Sequence, residues 1–305
     1  MLEALSIDLW NEPNGSNFWP GSQDQYLQAW SYAFKKYRDA FGTSVLLQGP
    51  ATSNPPSLSW DWWTNYANYL SNNRDVIPDV WSYHQLEGRY AANCGNDPVD
   101  SRNNLTAVLN QYNLPNDRQV QVNEYGNNDG EQTPAYTSWF LSRFERANST
   151  ALRANWGSGR GLHDDLARLL LPNNDGLNGW TAMGDWHVLN YYNKLQSSGR
   201  VVQTQSTKST CYDSFATLDA DNRIIRILAG SRGQSGDYPI TVNELNSLGI
   251  SSVNAVVKEI PFNNAGTVNS PNQISNGPIS VDSNGSITIN LNMVEDSAYT
   301  IDLTY

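Results

Sequence analysis

The sequence predicts an α/β chain in two parts: an incomplete (β/α) barrel over residues 1–198, followed by an antiparallel β-sandwich over residues 199–305. Three observations predict it. Up to about residue 195, short apolar runs alternate with longer amphipathic stretches, the pattern of repeated βα units around a parallel sheet. From about Gly199 the chain turns to Thr, Ser, Val, Ile, Asn and Gly, in short alternating runs separated by turn residues. Between Met1 and that change only five strand candidates are visible, against the eight of a closed barrel.

The strand candidates are Ala4–Trp10, Ser44–Gly49, Asp79–His84, Gln119–Glu124 and Leu152–Trp156. Between and after them lie helix candidates: Asp24–Phe41, Leu58–Asn73, Ser101–Tyr112, Pro134–Ala147 and Leu162–Leu171, with a last amphipathic stretch at His187–Leu195. In the first helix Tyr26, Trp30, Ala33, Phe34 and Tyr37 recur at helical spacing, which marks a face packed on a core rather than a ligand site. Beyond the boundary, "RIIRILAG", "YPITVNEL", "VNAVVKEI" and "SITINLNM" alternate as antiparallel strands do.

Composition narrows the partners. Nineteen basic residues against 30 acids give a formal net charge of −11, which repels phosphate backbones and anionic lipid, so neither nucleic acid nor a membrane surface is expected to bind. Nothing approaches the roughly 20 consecutive apolar residues of a membrane span. With only 16% charged residues but 11 Trp and 16 Tyr, the chain suits neutral polar ligands held by stacking and hydrogen bonds, as sugars are. Asn14, Asn104, Asn148 and Asn284 each open an N-glycosylation tripeptide, which has meaning only in a secreted glycoprotein, whereas the N-terminus lacks a signal peptide. Cys94 and Cys211 are open to two readings, one long-range disulfide or two buried thiols.

In parallel βα architectures functional residues gather at the C-terminal ends of strands. Here those ends read Asn11-Glu12, Gln48-Gly49, Tyr83-His84, Asn123-Glu124-Tyr125 and Asn155-Trp156. Two of them carry a Glu directly after an Asn, and Pro13 and Gly126 turn the chain out of the strand just beyond each acid. A lone Glu there is commonly a solvated carboxylate; a facing pair is the minimum set for glycoside hydrolysis, one member protonated to serve the leaving oxygen and the other ionised.

Those motifs carry a resemblance. "WNEPN" at Trp10–Asn14 resembles the fourth-strand motif of retaining glycosidases of the large (β/α)-barrel clan, and "VNEYG" at Val122–Gly126 resembles the seventh-strand motif. Two further strand candidates lie between them, as that assignment requires. With the trailing Asn14 and the β-rich end, the chain is most similar to glycoside hydrolase family 39, the family of β-xylosidases and α-L-iduronidases. The resemblance implies Glu12 as general acid/base and Glu124 as nucleophile of a double displacement, with Asn11 on the sugar 2-hydroxyl. It also implies His84 close to both carboxylates, Trp156 as a platform under the sugar ring, and Tyr125 as a further substrate contact. Tyr83 falls on the other face of its strand by alternation.

Other features have ordinary explanations. His163, Asp164 and Asp165 open a helix candidate, where acids favour the dipole. "GSGRG" at Gly157–Gly161 lacks the Lys of a phosphate cradle and reads as a loop. No metal or other cofactor is expected. Of Trp60, Trp62 and Trp63 in "SWDWW", one is expected to line the mouth of the sheet while the others pack; Trp19, Trp180 and Trp186 carry less.

The resemblance begins at the fourth strand, so three βα units are expected to precede Met1, which would then be an internal methionine, the signal peptide lying in the same segment. Open edges on a parallel sheet invite pairing or aggregation, so little or no activity is expected of the chain alone. Two other readings remain: an endo-glycanase of the same clan, and a truncated remnant acting as a carbohydrate-binding scaffold.

Overall fold

A computed structural model of the chain describes residues 5–86, 94–126, 133–154, 169–172, 179–205, 209–263 and 266–305. The chain divides into two compact units. The first comprises residues 1–87, 96–126 and 144–154, and the second comprises 88–95, 127–143 and 155–305.

The first unit is built from β1 (Ser6–Asp8), α1 (Gln23–Phe41), β2 (Leu46–Thr52), α2 (Asp61–Asn72), β3 (Val80–Leu86), α3 (Pro98–Gln111) and β4 (Val120–Gly126). Helix α4 (Pro134–Arg146) belongs for most of its length to the second unit, and β5 (Thr150–Arg153) completes the first. The five strands form one sheet in sequence order, with every neighbouring pair parallel. Alternation of strand and helix along the chain is what a parallel sheet requires, since each strand must be re-entered from the same end.

Helix α1 begins where Ser22 accepts a hydrogen bond from the backbone N–H of Gln25, and it buries Tyr26, Leu27, Trp30 and Phe34. Trp30 lies so close to β2 that a Cβ on Gly49 would meet its ring at 2.5 Å, so the strand needs glycine at this point. At the helix end Arg38 pairs with Asp79, whose carboxylate also accepts from the backbone N–H of Leu47 at 2.8 Å. The end of α1, the start of β2 and the residue before β3 are thereby tied together. Strand β1 is shorter than the expected Ala4–Trp10: it ends at Asp8, and Glu12 lies in the loop beyond it.

The second unit holds β6 (Leu170–Pro172), β7 (Trp180–Ala182), α5 (Gly184–Ser198), β8 (Arg200–Val202), β9 (Tyr212–Asp219), β10 (Ile224–Ser231), β11 (Gly236–Val242), β12 (Ser252–Ile260), β13 (Asn272–Ser280), β14 (Ile287–Met293) and β15 (Ala298–Thr304). An antiparallel sheet runs β13-β12-β15-β10-β9-β8, and two-stranded sheets pair β11 with β14 and β6 with β7. Ile225, Ile227, Val253, Val257 and Ile301 of the larger sheet share one apolar core with Tyr238, Ile240, Ile289 and Leu291 of the β11-β14 pair. Alternate residues face this core, as the sequence period of two demands.

The helix expected at Leu162–Leu171 is corrected at its end: Leu170 and Leu171 lie in β6, paired with Ala182 and Thr181. A short apolar run fits either element, and here pairing with a second short run decides it. Cys94 and Cys211 are joined in a disulfide with a Cα–Cα distance of 5.4 Å, which settles the two readings of the sequence.

Candidate active site

The backbone after β1 makes a tight path. Glu12 has a φ of 45°, a left-handed conformation in which a residue with a Cβ is strained. Its N–H donates to the carbonyl of Ala51 at 2.9 Å, and its own carbonyl accepts from Gly15 at 2.9 Å. The side chain of Asn14 then exchanges two hydrogen bonds with Ser53, donating to its hydroxyl at 2.7 Å and accepting from its N–H at 3.0 Å. These contacts bind the loop after β1 to the end of β2, and so hold the Glu12 carboxylate over the sheet. The amide of Asn14, first of the glycosylation tripeptides, is engaged in them.

His84 of β3 is fully buried. Its Nδ1 lies 2.8 Å from Glu12 Oε1 and 3.6 Å from Glu124 Oε2. Glu124 comes from β4, where the pairing with β3 slips between Tyr83 and His84 so that His84 stands opposite Glu124. One oxygen from each glutamate and one His84 nitrogen all lie within 4.8 Å of one another. Two carboxylates and an imidazole are also a donor set that suits a divalent transition metal. The 2.8 Å contact, however, is an ordinary hydrogen-bond length, so an imidazole N–H shared with Glu12 accounts for the arrangement. Nε2 of His84 is buried without a hydrogen-bond partner among the described residues.

Beneath these three residues lies a polar layer that the sequence reading missed. Asp8 at the end of β1 accepts from Ser82 Oγ at 2.8 Å, from Asn123 Nδ2 at 2.6 Å and from Gln48 Nε2 at 2.5 Å. Burial pushes the Asp8 carboxyl above its usual value, and the three donors and nearby His84 oppose that rise without cancelling it. The same burial raises the phenols of Tyr26 and Tyr66, with the Asp8 charge adding to it. A signal was present in "SID": an acid at the end of an apolar strand has to be satisfied by its neighbours.

Of the site residues expected from sequence, the structure brings Glu12, His84 and Glu124 together, and it leaves Asn11 exposed next to Glu12. Tyr125 is not brought to the pair. It is buried, with its ring edge-on to Phe144 at 5.0 Å, because the residue after Glu124 turns to the opposite face of the strand. Trp156, His163, Asp164, Asp165 and the "GSGRG" loop lie outside the described residues. Tyr83, like His84, is fully buried. In "SWDWW", Trp63 is buried and donates to Thr52 Oγ1, whereas Trp60 and Trp62 are half-buried.

A parallel sheet with a facing pair of carboxylates toward the C-terminal ends of its strands, one within β4 and one in the loop after β1, defines the class to which comparison points. The chain has the fold found in structures of glycoside hydrolases. Over 99% of its length it superposes on 69% of the family 39 enzyme from Xanthomonas axonopodis pv. citri, with a TM-score of 0.67 and 13% identity. A larger likeness is to the structure of N2152 from Neocallimastix frontalis, with a TM-score of 0.76 and 21% identity over 97% of this chain and 69% of that one. Among curated proteins it is similar to a 3-O-alpha-D-galactosyl-alpha-L-arabinofuranosidase of Bifidobacterium longum subsp. longum, 23% identical over 273 residues. That match takes in 76% of this chain, which spans 22% of the relative's length. No family model matches the sequence.

Proposed function

We propose that the chain carries the catalytic centre of a retaining glycoside hydrolase, with Glu12 as general acid/base and Glu124 as nucleophile. The observation that carries this reading is the approach of the two carboxylates: their oxygens lie within 4.8 Å, with His84 between them. Retaining enzymes hold the pair about 5–5.5 Å apart, whereas inverting enzymes leave about 6.5–9.5 Å for a water. The five parallel strands then stand as the fourth to eighth of a (β/α) barrel, and the antiparallel sheets of the second unit as its β-sandwich.

In the first step Glu124 attacks the anomeric carbon, the glycosidic C–O bond breaks, and the proton of Glu12 passes to the leaving oxygen. In the second, the Glu12 carboxylate takes a proton from water, whose oxygen displaces Glu124 from the anomeric carbon. Both carboxyl groups end as they began. The Nδ1 of His84, in reach of both glutamates, holds the acid in place while its charge alternates. Asn11, exposed beside Glu12, is placed for the sugar 2-hydroxyl, where a hydrogen bond strengthens as positive charge grows on the ring.

The substrate class is a pentoside, a β-xyloside by the resemblance of the motifs to family 39, with an α-arabinofuranoside as the second reading because the curated relative is named for one. The Cys94–Cys211 disulfide supports a secreted protein, since such bonds persist in oxidising compartments.

The test is the stereochemistry of hydrolysis, followed by NMR on dinitrophenyl β-xyloside, α-arabinofuranoside and β-glucoside. Such activated substrates make slow turnover sufficient. A first-formed sugar of unchanged anomeric configuration is expected from one of the pentosides; inversion, or no hydrolysis of any of the three, would overturn the reading.

A further inference from the structure

We propose that Asp8 is a positioning residue for the nucleophile: a buried carboxylate that gathers one donor from each of three neighbouring strands and, through Asn123, fixes where Glu124 stands. This rests on the reading of Glu124 as nucleophile. Gln48 lies on β2, Ser82 on β3 and Asn123 on β4, and all three donate to Asp8 on β1. One oxygen of Asp8 takes Ser82, and the other takes both amides. The remaining oxygens of those amides, Gln48 Oε1 and Asn123 Oδ1, are buried and have no hydrogen-bond partner among the described residues. Their orientation therefore follows from Asp8 alone, because turning either amide over would set an acceptor against an acceptor.

Of the three arms, only one leads directly to a reacting group. Asn123 and Glu124 are adjacent in β4, at the place where the β4–β5 pairing is interrupted between Val122 and Tyr125. A segment without regular ladder bonds on that side needs another restraint, and the bond from Asn123 to Asp8 supplies it. The Gln48 arm ends on β2, which carries no member of the pair. The titratable groups that face Asp8 are His84 of β3, Tyr26 of α1 and Tyr66 of α2. Among the described residues no Lys or Arg pairs with Asp8, so its hydrogen-bond partners are neutral donors.

The test uses Asp8→Asn, Asn123→Ala and Gln48→Met in the full chain. Misplacing a reacting group by about 1 Å costs roughly 100-fold, so kcat is expected to fall by about that factor in Asp8→Asn and Asn123→Ala, with KM and the Gln48→Met variant within about threefold of wild type. A wild-type kcat in Asp8→Asn would overturn the proposal, as would equal losses in all three variants that track their melting temperatures. A readout independent of turnover separates this from the parent reading. In 15N-labelled protein the Asn123 side-chain amide is expected to shift with pH as Asp8 titrates, and to lose that dependence in Asp8→Asn. If wild type hydrolyses no glycoside, the parent reading fails. The amide titration then decides the hub alone: its presence sustains Asp8 as the anchor of Asn123, and its absence removes it. Should Asp8→Asn fail to fold, the pair Asn123→Ala and Gln48→Met makes the same discrimination.

Discussion

The two units bury charge in opposite ways. In the first, Asp8 is surrounded by neutral donors, and burial leaves its carboxyl above the usual range. His84 beside it is fully buried and reaches toward two carboxylates. In the second unit two buried carboxylates are matched to guanidinium groups: Arg143 meets the fully buried Asp213 at 3.1 Å, and Arg226 lies 3.3 Å from Asp219, whose carboxyl is held below the usual range first of all by hydrogen bonds from Asn222. Arg232, also buried, lies over the rings of Tyr136, Trp139 and Phe140 and donates to the carbonyl of Gly95. The Asp213 and Asp219 carboxylates are thus each met by a guanidinium group. The candidate site instead keeps two carboxylates within 4.8 Å of each other and of His84.

The largest effect that would break this contrast lies in the first unit. Glu12→Gln is expected to lower kcat/KM, which reports the first step, by roughly 10²–10⁴-fold on a poor leaving group, the usual worth of a general acid, and to spare kcat/KM on dinitrophenyl substrates, which need no proton in that step. Assay of both substrate types checks it. Equal losses on both would take the acid role from Glu12.

Next comes the paired charge of the second unit. Asp213→Ala removes the carboxylate that lies 3.1 Å from the buried Arg143 and is expected to destabilise the chain by roughly 3–5 kcal/mol, read in urea unfolding. A loss below about 1 kcal/mol would mean that the pair behaves as an exposed one does.

The smallest effects sharpen the comparison through their sign. A carboxyl whose pKa is raised on folding contributes most below its unfolded value near 3.8, and that contribution is lost as pH rises through the folded value. A depressed carboxyl contributes above that value and loses its contribution as pH falls. The stability of wild type relative to Asp8→Asn should therefore decline from acid to neutral pH, whereas that relative to Asp219→Asn should rise. Parallel slopes in unfolding measured across that range would remove the distinction.

Much of this was legible in the sequence. The strand and helix order of the first unit follows from alternation and from the Tyr26, Trp30, Phe34 spacing, which depend on local periodicity alone. Glu12 and Glu124 could be singled out because Pro13 and Gly126 mark where each chain segment turns away beyond its acid. Their closeness was implied by the resemblance of the two motifs, whereas the slip in register that puts His84 opposite Glu124 could not be read from the sequence. Asp8 was hidden for the same reason: its donors come from three other strands and are far apart in sequence. Tyr125 shows the limit of motif reading, because a motif match at its neighbour says nothing of the face its own ring takes. Leu170 and Leu171 show another, a strand too short to be told from a helix end.

The most direct measurement is to trap the glycosyl-enzyme. Incubation with a dinitrophenyl 2-deoxy-2-fluoro-β-xyloside or its arabinofuranosyl counterpart, then peptic digestion and mass spectrometry, should place one sugar on the peptide containing Glu124 and none on that containing Glu12. A sugar found on another residue would contradict the assignment of the nucleophile, and with it the division of labour between the two carboxylates.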